Sequence, residues 1–457
     1  MRGAILFNGN AETVDDLVVA AAPLLRSSRH EDPEVASSKR VLLVTAACSS
    51  GTAASPAASG TAAASGANWD EVGPIVYAQG KDTSGNLKGE IDAWNEANPN
   101  EQVTFRELSE SADEQRSAMV QRGQSKSGEV TVMSVDVVGT PEFAANGWLE
   151  ELPADKFPTT GYLKAAVDSA TYFNKLYAMP STSDGAMLYY RKDLLEKYQI
   201  AAPPTTWDEM KQACDKIVAG ESGVDCYAGQ HQKYEGLTCN IAEAVNSAGG
   251  AFLSADGKPT VSSAEAVSGL QWMIDGFKSG MIPKEAITWK EEESRAAFQS
   301  GKLVFLRNWP YVYNLASKDA KIKDKFATAP LPGKTGPGVS TLGGHSFGIS
   351  KFAKNKGTAM KFILWMQSKD AQTQRLTKSS LAPVLEELYA DTALQGKFPY
   401  LKTLGDSIKN AAPRPKAVKY NDVTLAIQDA TYAALQGQTD AQAAFTSLQG
   451  KLETLVK

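Results

Sequence analysis

Residues 74–108 read PIVYAQGKDTSGNLKGEIDAWNEANPNEQVTFREL, and this stretch decides the fold class. "PIVYAQG" is a short apolar run closed by glycine, which predicts a strand. In "NLKGEIDAWNEANP" the apolar residues Leu87, Ile91 and Trp94 recur at helical spacing, and Pro99 stops the pattern. "QVTFREL" predicts a second strand. The alternation repeats downstream. Residues 113–125 are helical, and "EVTVMSVD" at 129–136 reads as a buried strand. Thr140 as cap, Pro141 at the first helical position and Gly147 past the end then mark a short helix. Strand, helix, strand, helix, strand places the chain in the α/β class with a parallel sheet at its start.

Further along, "LYAMP" predicts a strand and "RKDLLEKYQI" a helix. "TWDEMKQACDKIVAG" opens with a capping box from Thr206 to Glu209. Residues 266–280 carry Val267, Leu270, Ile274 and Phe277 at helical spacing. "KLVFLRNWPY" reads as strand then turn, "HSFGISKF" as a strand and "GTAMKFILWMQSK" as a helix. The body of about 390 residues exceeds one comfortable sheet, so two lobes are expected.

The bulk numbers exclude several classes. With 42% hydrophobic and 22% charged residues, the 457-residue chain is an ordinary globule rather than a disordered one. Its net charge is -5 and its Lys and Arg residues form no dense stripe, so no nucleic-acid partner is expected. No run of 18 apolar residues is present to span a bilayer as a helix. The four cysteines, Cys48, Cys214, Cys226 and Cys239, form no C-x-x-C pair, and with only three histidines no metal site is expected. In an oxidising compartment Cys214 and Cys226 can pair across the short loop between them; otherwise they are buried thiols. No catalytic signature and no cofactor motif is present, so no enzyme is expected. A glycosidase-like pair of carboxylates can always be found among 52 acidic residues and is therefore no signal.

Residues 41–60, VLLVTAACSSGTAASPAASG, read as an address rather than a core element. Lys39 and Arg40 precede a short apolar run, small residues follow, and Cys48 stands where a bacterial lipoprotein signal places the cysteine that receives lipid. The expected organisation is a leader with this signal at 1–47 and a flexible tether at 48–68, whose Ala, Ser, Gly and Thr bury too little to order themselves.

Ligands of open α/β sheets bind beyond the carboxyl ends of strands. Asp136 stands at such an end, Asp184 lies past "LYAMPSTS", and Arg307, Asn308, Trp309 and Tyr311 follow "KLVFL". An Asp there accepts hydrogen bonds from hydroxyls, and a Trp face packs on the C–H face of a sugar ring. Together they describe a sugar site better than a phosphate site. Each also has a structural reading: an Asp after a strand often caps a turn, and most of eight tryptophans belong to a core.

Several stretches occur together in one order: "GWLEEL", "LYAMPSTSDGAMLYYRKDLLEKY", "PPTTWDEM", "KYEGLTCN", "RNWPY", "TLGGHSFGISK" and "AAPRPKAVKY". From about residue 75 onward the chain thereby resembles the extracellular solute-binding proteins of ABC sugar importers, most closely the trehalose/maltose-binding branch. The resemblance implies a two-lobed, periplasmic-binding-protein-like α/β fold with a hinge and an interlobe cleft. The expected lobes are 69–182 with 307–350, and 183–306 with 351–457. It also implies ligand-binding roles for Asp136 and Asp184, for the aromatics Trp309 and Tyr311, for Arg414 and Arg116, and for Ser111. Asp82 is a candidate in the loop after the first strand. Where the branch usually places a stacking Trp after "TLGG", this chain has His345, which offers less ring area and two polar nitrogens.

The expected function is capture of an α-linked disaccharide or short oligosaccharide, trehalose- or maltose-like, for delivery to ABC permease subunits. The receptor is expected to be a monomer, lipid-anchored through Cys48 on the extracellular face of the cell membrane. The alternatives are a phosphorylated sugar, polyol or peptide on the same fold, a glycoside hydrolase, or a structural surface protein. A phosphorylated ligand would want several cations in the cleft, and Arg116 and Arg414 are the ones the sequence places there.

Overall fold

The structure, a computed structural model, describes residues 67–456. The leader, Cys48 and nearly all of the expected tether lie outside the described residues.

The alternation at the start of the body folds as expected. Ile75–Gln79, Val103–Glu107 and Val132–Asp136 are parallel strands, joined by the helices Leu87–Ala97 and Ala112–Gln124. The first helix buries Leu87, Ile91 and Trp94, the three residues at helical spacing. The sheet order is Val103–Glu107, Ile75–Gln79, Val132–Asp136, His345–Ile349, Ala178–Pro180, and the His345–Ile349 strand runs antiparallel to both its neighbours. The short helix Thr140–Ala145 begins one residue earlier than its sequence pattern implies: Gly139 occupies the cap position and Thr140 is already helical.

The second sheet has the order Phe326–Ala329, Met187–Arg191, Leu303–Asn308, Asp225–Ala228. Its inner strands are buried on both faces, with Met187, Leu188, Val304, Phe305 and Leu306 fully enclosed. The helix Trp207–Val218 flanks it and starts with the expected capping box, Thr206 with Glu209. Cys214, in the second half of this helix, is disulfide-bonded to Cys226 on the adjoining strand, with Cα atoms 5.3 Å apart. Cys239 is a buried free thiol. A layer of four helices, Glu235–Ser247, Ala264–Ser279, Tyr420–Leu435 and Ala441–Leu455, packs around its own apolar cluster.

Strand pairing moves two of the expected lobe boundaries. Leu303–Asn308 pairs with Met187–Arg191 and Asp225–Ala228, so the chain from residue 307 to the strand Phe326–Ala329 belongs to the second sheet, not the first. The helix Lys356–Met366 packs Ala359, Phe362, Ile363 and Met366 into the core of the first sheet, so residues after 351 do not pass directly to the second. The reason is geometric. Strand ends of both sheets face one cleft, so a motif at a strand end such as "RNWPY" marks the cleft without marking its side.

Two crossing segments join the sheets. Asp184–Gly185 pairs antiparallel with Leu342–Gly343, and the backbone N–H groups of Ser181 and Thr182 both donate to the His345 carbonyl. At Gly344 the φ is +108°, and a Cβ there would lie 2.3 Å from the Thr182 carbonyl oxygen. Only glycine allows the segments to cross this closely. The lobes also touch across the cleft. Asp113, on the helix beside the first sheet, accepts the backbone N–H of Glu235 at 3.1 Å and the Gln428 amide at 3.3 Å, both from the helical layer.

Candidate functional site

A cavity of about 280 Å³ opens where the two sets of strand ends meet. Its lining includes Asp82, Asp136, Asp184, Trp309, Tyr311, His345 and Arg414, so seven sequence-predicted residues from six separate segments come together.

Arg414 is 3% exposed and ties the cavity wall together. Its Nη2 donates to Asp136 Oδ1 at 2.7 Å and its Nη1 to Glu235 Oε1 at 2.5 Å. Glu235 also accepts from the hydroxyls of Tyr420 and Thr424. Burial pushes the Glu235 carboxyl up, and Arg414 opposes that shift. The arginine therefore spends two of its donors on the protein and fixes Asp136 in place.

Asp184 has a different environment. Burial, reinforced by the neighbouring Asp136 carboxylate, pushes it up to about 7, against the pull of a hydrogen bond from Thr182. Such a carboxyl changes charge near neutrality. His345 pairs with Asp136 across the strand register, and burial pushes the imidazole down, so the ring is neutral and can donate and accept at once.

Trp309 is seated from behind. The Arg307 guanidinium stacks on its ring, and a Cβ on Gly343 would come within 2.8 Å of its edge, so the glycine makes room for the indole. Arg307 itself is fully buried. It pairs with Glu243 at 2.7 and 2.5 Å and with Gln230 at 2.7 Å, which removes it from ligand contact and makes it a support. Tyr311 donates its hydroxyl to Glu292 at 2.7 Å.

Asp82 lines the cavity but has a structural task as well. Its carboxylate accepts the Ser84 and Leu87 backbone N–H groups at 2.9 and 3.1 Å, shaping the loop and the helix start.

Two expected site residues are not brought to the cavity. Ser111 is the buried N-cap position of the helix Ala112–Gln124, while its neighbours Glu110 and Ala112 reach the lining. Arg116 stands one turn further along that helix, in a smaller adjoining pocket that also touches Asp136 and His345. Its guanidinium pairs with Glu142 and with Asn421. Its side chain leaves the helix toward these protein partners, while that of its neighbour Gln115 reaches the cavity lining.

Sequence reasoning missed Glu235, Lys290, Glu291, Glu292, Glu90 and Arg375, all of which line the cavity. The run "KEEES" looks like an ordinary charged first turn, and Glu235 lies in "KYEGLTCN", which supports the resemblance only as a block. The lining carries eight carboxylates against four cations, Lys81, Lys290, Arg375 and Arg414. That balance suits neutral, hydroxyl-rich ligands and repels phosphate.

The comparisons with known proteins agree with this geometry. The family described as "Bacterial extracellular solute-binding protein" matches residues 77–373. A probable ABC transporter-binding protein of Deinococcus radiodurans is 33% identical over 79% of this chain and 88% of its own length. The maltose-bound T. maritima MalE3 is 34% identical with a TM-score of 0.80, covering 83% of this chain and 99% of that one. A solute-binding protein of Agrobacterium vitis S4 with bound D-mannitol is 25% identical with a TM-score of 0.72, covering 84% and 98%. The two solved structures share this chain's fold, and the chain belongs to the bacterial extracellular solute-binding protein family.

Proposed function

We propose that this chain is the receptor of an ABC sugar importer, which captures an α-linked disaccharide or short oligosaccharide and passes it on intact. One observation carries the reading: a Trp309 platform braced by Arg307 shares a cavity with Asp136, Asp184 and His345. An indole face takes the apolar side of a sugar ring, and carboxylates and a neutral imidazole take its hydroxyls. A trehalose- or maltose-like ligand is favoured by the likeness to a maltose-bound receptor. The excess of carboxylates in the lining speaks against a phosphorylated sugar. Hydrolysis is disfavoured because Asp136 is held by Arg414 rather than poised as a second catalytic carboxyl. On this reading the receptor is a monomer, lipid on Cys48 holds it outside the cell, and the tether keeps it near its permease.

A polyol is the second reading, favoured by the mannitol-bound relative. Calorimetric titration against trehalose, maltose, sucrose, isomaltose, maltotriose, glucose and mannitol separates them. Micromolar or tighter binding of a di- or trisaccharide, recovered intact, is the expected result. Tighter binding of mannitol supports the second reading, and silence across the panel overturns both.

A further inference from the structure

We infer that the same cavity contains a second hydroxyl-binding subsite, built by Arg375 and Glu90 on the side of the first sheet. The inference rests on the sugar reading and adds where the second ring of the ligand lies. Arg375, on the helix Lys369–Ser379, is 6% exposed and lines the cavity. Its guanidinium has five N–H donors, yet it makes one hydrogen bond among the described residues, from Nη2 to the Met366 carbonyl, and Nε has no partner. No carboxylate among the described residues forms an ion pair with it.

Glu90, on the helix Leu87–Ala97, faces the same cavity, and its carboxylate accepts no hydrogen bond from the described residues. Burial pushes this carboxyl up and Arg375 draws it back, so the two charges sense each other without touching. A buried cation and a half-buried anion left this far from satisfied are rare unless a partner is to arrive. The nearby Tyr77 hydroxyl is already committed to Gln79 at 2.5 Å. Leu87, Phe347, Met366 and Leu381 add apolar wall. Apolar wall, one strong donor and one strong acceptor together match a neutral pyranose ring. The opposite charges of Arg375 and Glu90 cancel, which disfavours a carboxylate or phosphate there.

The test compares maltose and trehalose with glucose by calorimetric titration of the full chain, for the wild type, Glu90→Gln and Arg375→Gln. Arg375→Gln also removes the bond to Met366, so Glu90→Gln, which breaks no protein hydrogen bond, is the decisive variant. The expected result is a tenfold or greater loss of disaccharide affinity, less than threefold change for glucose, and an unchanged melting temperature for Glu90→Gln. Disaccharide binding unaltered by Glu90→Gln, or an equal loss for glucose, overturns the subsite and leaves the sugar reading standing. If the wild type binds no sugar, the sugar reading falls and takes the subsite with it.

Discussion

The guanidinium of Arg307 lies 4.0 Å from the centroid of the Trp309 ring. A cation held against an aromatic face fixes the ring and leaves the rest of its surface for a ligand. Trp309→Ala should therefore weaken sugar binding at least tenfold in a calorimetric titration, with little change in melting temperature. Arg307→Met should act on the fold instead. It strands the buried Glu243 carboxylate, at a cost of about 3–5 kcal/mol in urea unfolding.

Asp184 should make sugar affinity depend on pH. Its carboxyl, raised to about 7, is largely protonated at pH 6 and largely ionised at pH 8. The ionised form accepts charge-assisted hydrogen bonds from sugar hydroxyls, so affinity should rise across that interval with release of a proton. Asp184→Asn should flatten the profile. The same raised value predicts that the ligand-free fold loses stability as pH climbs above the ordinary aspartate range toward 7, because the buried form holds its proton more tightly than the unfolded chain does. An affinity that falls from pH 6 to 8 would contradict the assignment.

The disulfide between Cys214 and Cys226 closes a loop of sequence separation 12. Its removal by Cys214→Ser with Cys226→Ser should lower unfolding free energy by about 2–4 kcal/mol, measured by denaturant titration. Sugar affinity should be unchanged, since neither cysteine lines the cavity.

Gly344→Ala should be far more damaging than the addition of one methyl group suggests. The new methyl would meet the Thr182 carbonyl at 2.3 Å on a backbone with positive φ. The crossing must widen, which shifts both His345 and Asp184. The expected outcome is a lower melting temperature together with weakened sugar binding, whereas Gly336→Ala, at a glycine with open space around it, should change neither.

The elements nearest the amino end of the body were the most legible. Leu87, Ile91 and Trp94 announce a helix by spacing alone, and their burial follows from it. Asp136, Asp184 and Trp309 could be found because strand ends in this class face a cleft. Lobe membership could not, since the partner of Leu303–Asn308 is decided by pairing across more than a hundred residues. Arg116 shows another limit: a single step along the helix separates Gln115, which lines the cavity, from Arg116, which pairs with Glu142 and Asn421. Glu235 and Arg375 carry no local signal, because each reaches the cavity only through what the fold brings beside it.

The hydrogen bonds that the Glu235 backbone N–H and the Gln428 amide donate to Asp113 span the cleft from protein to protein. Asp113 does not line the cavity, so an effect of it on affinity would come through how firmly these bonds hold the two lobes together. Apparent affinity scales with the fraction already shut. Strengthening or weakening this clasp would retune the receptor for scarce or abundant solute without altering which solute it recognises.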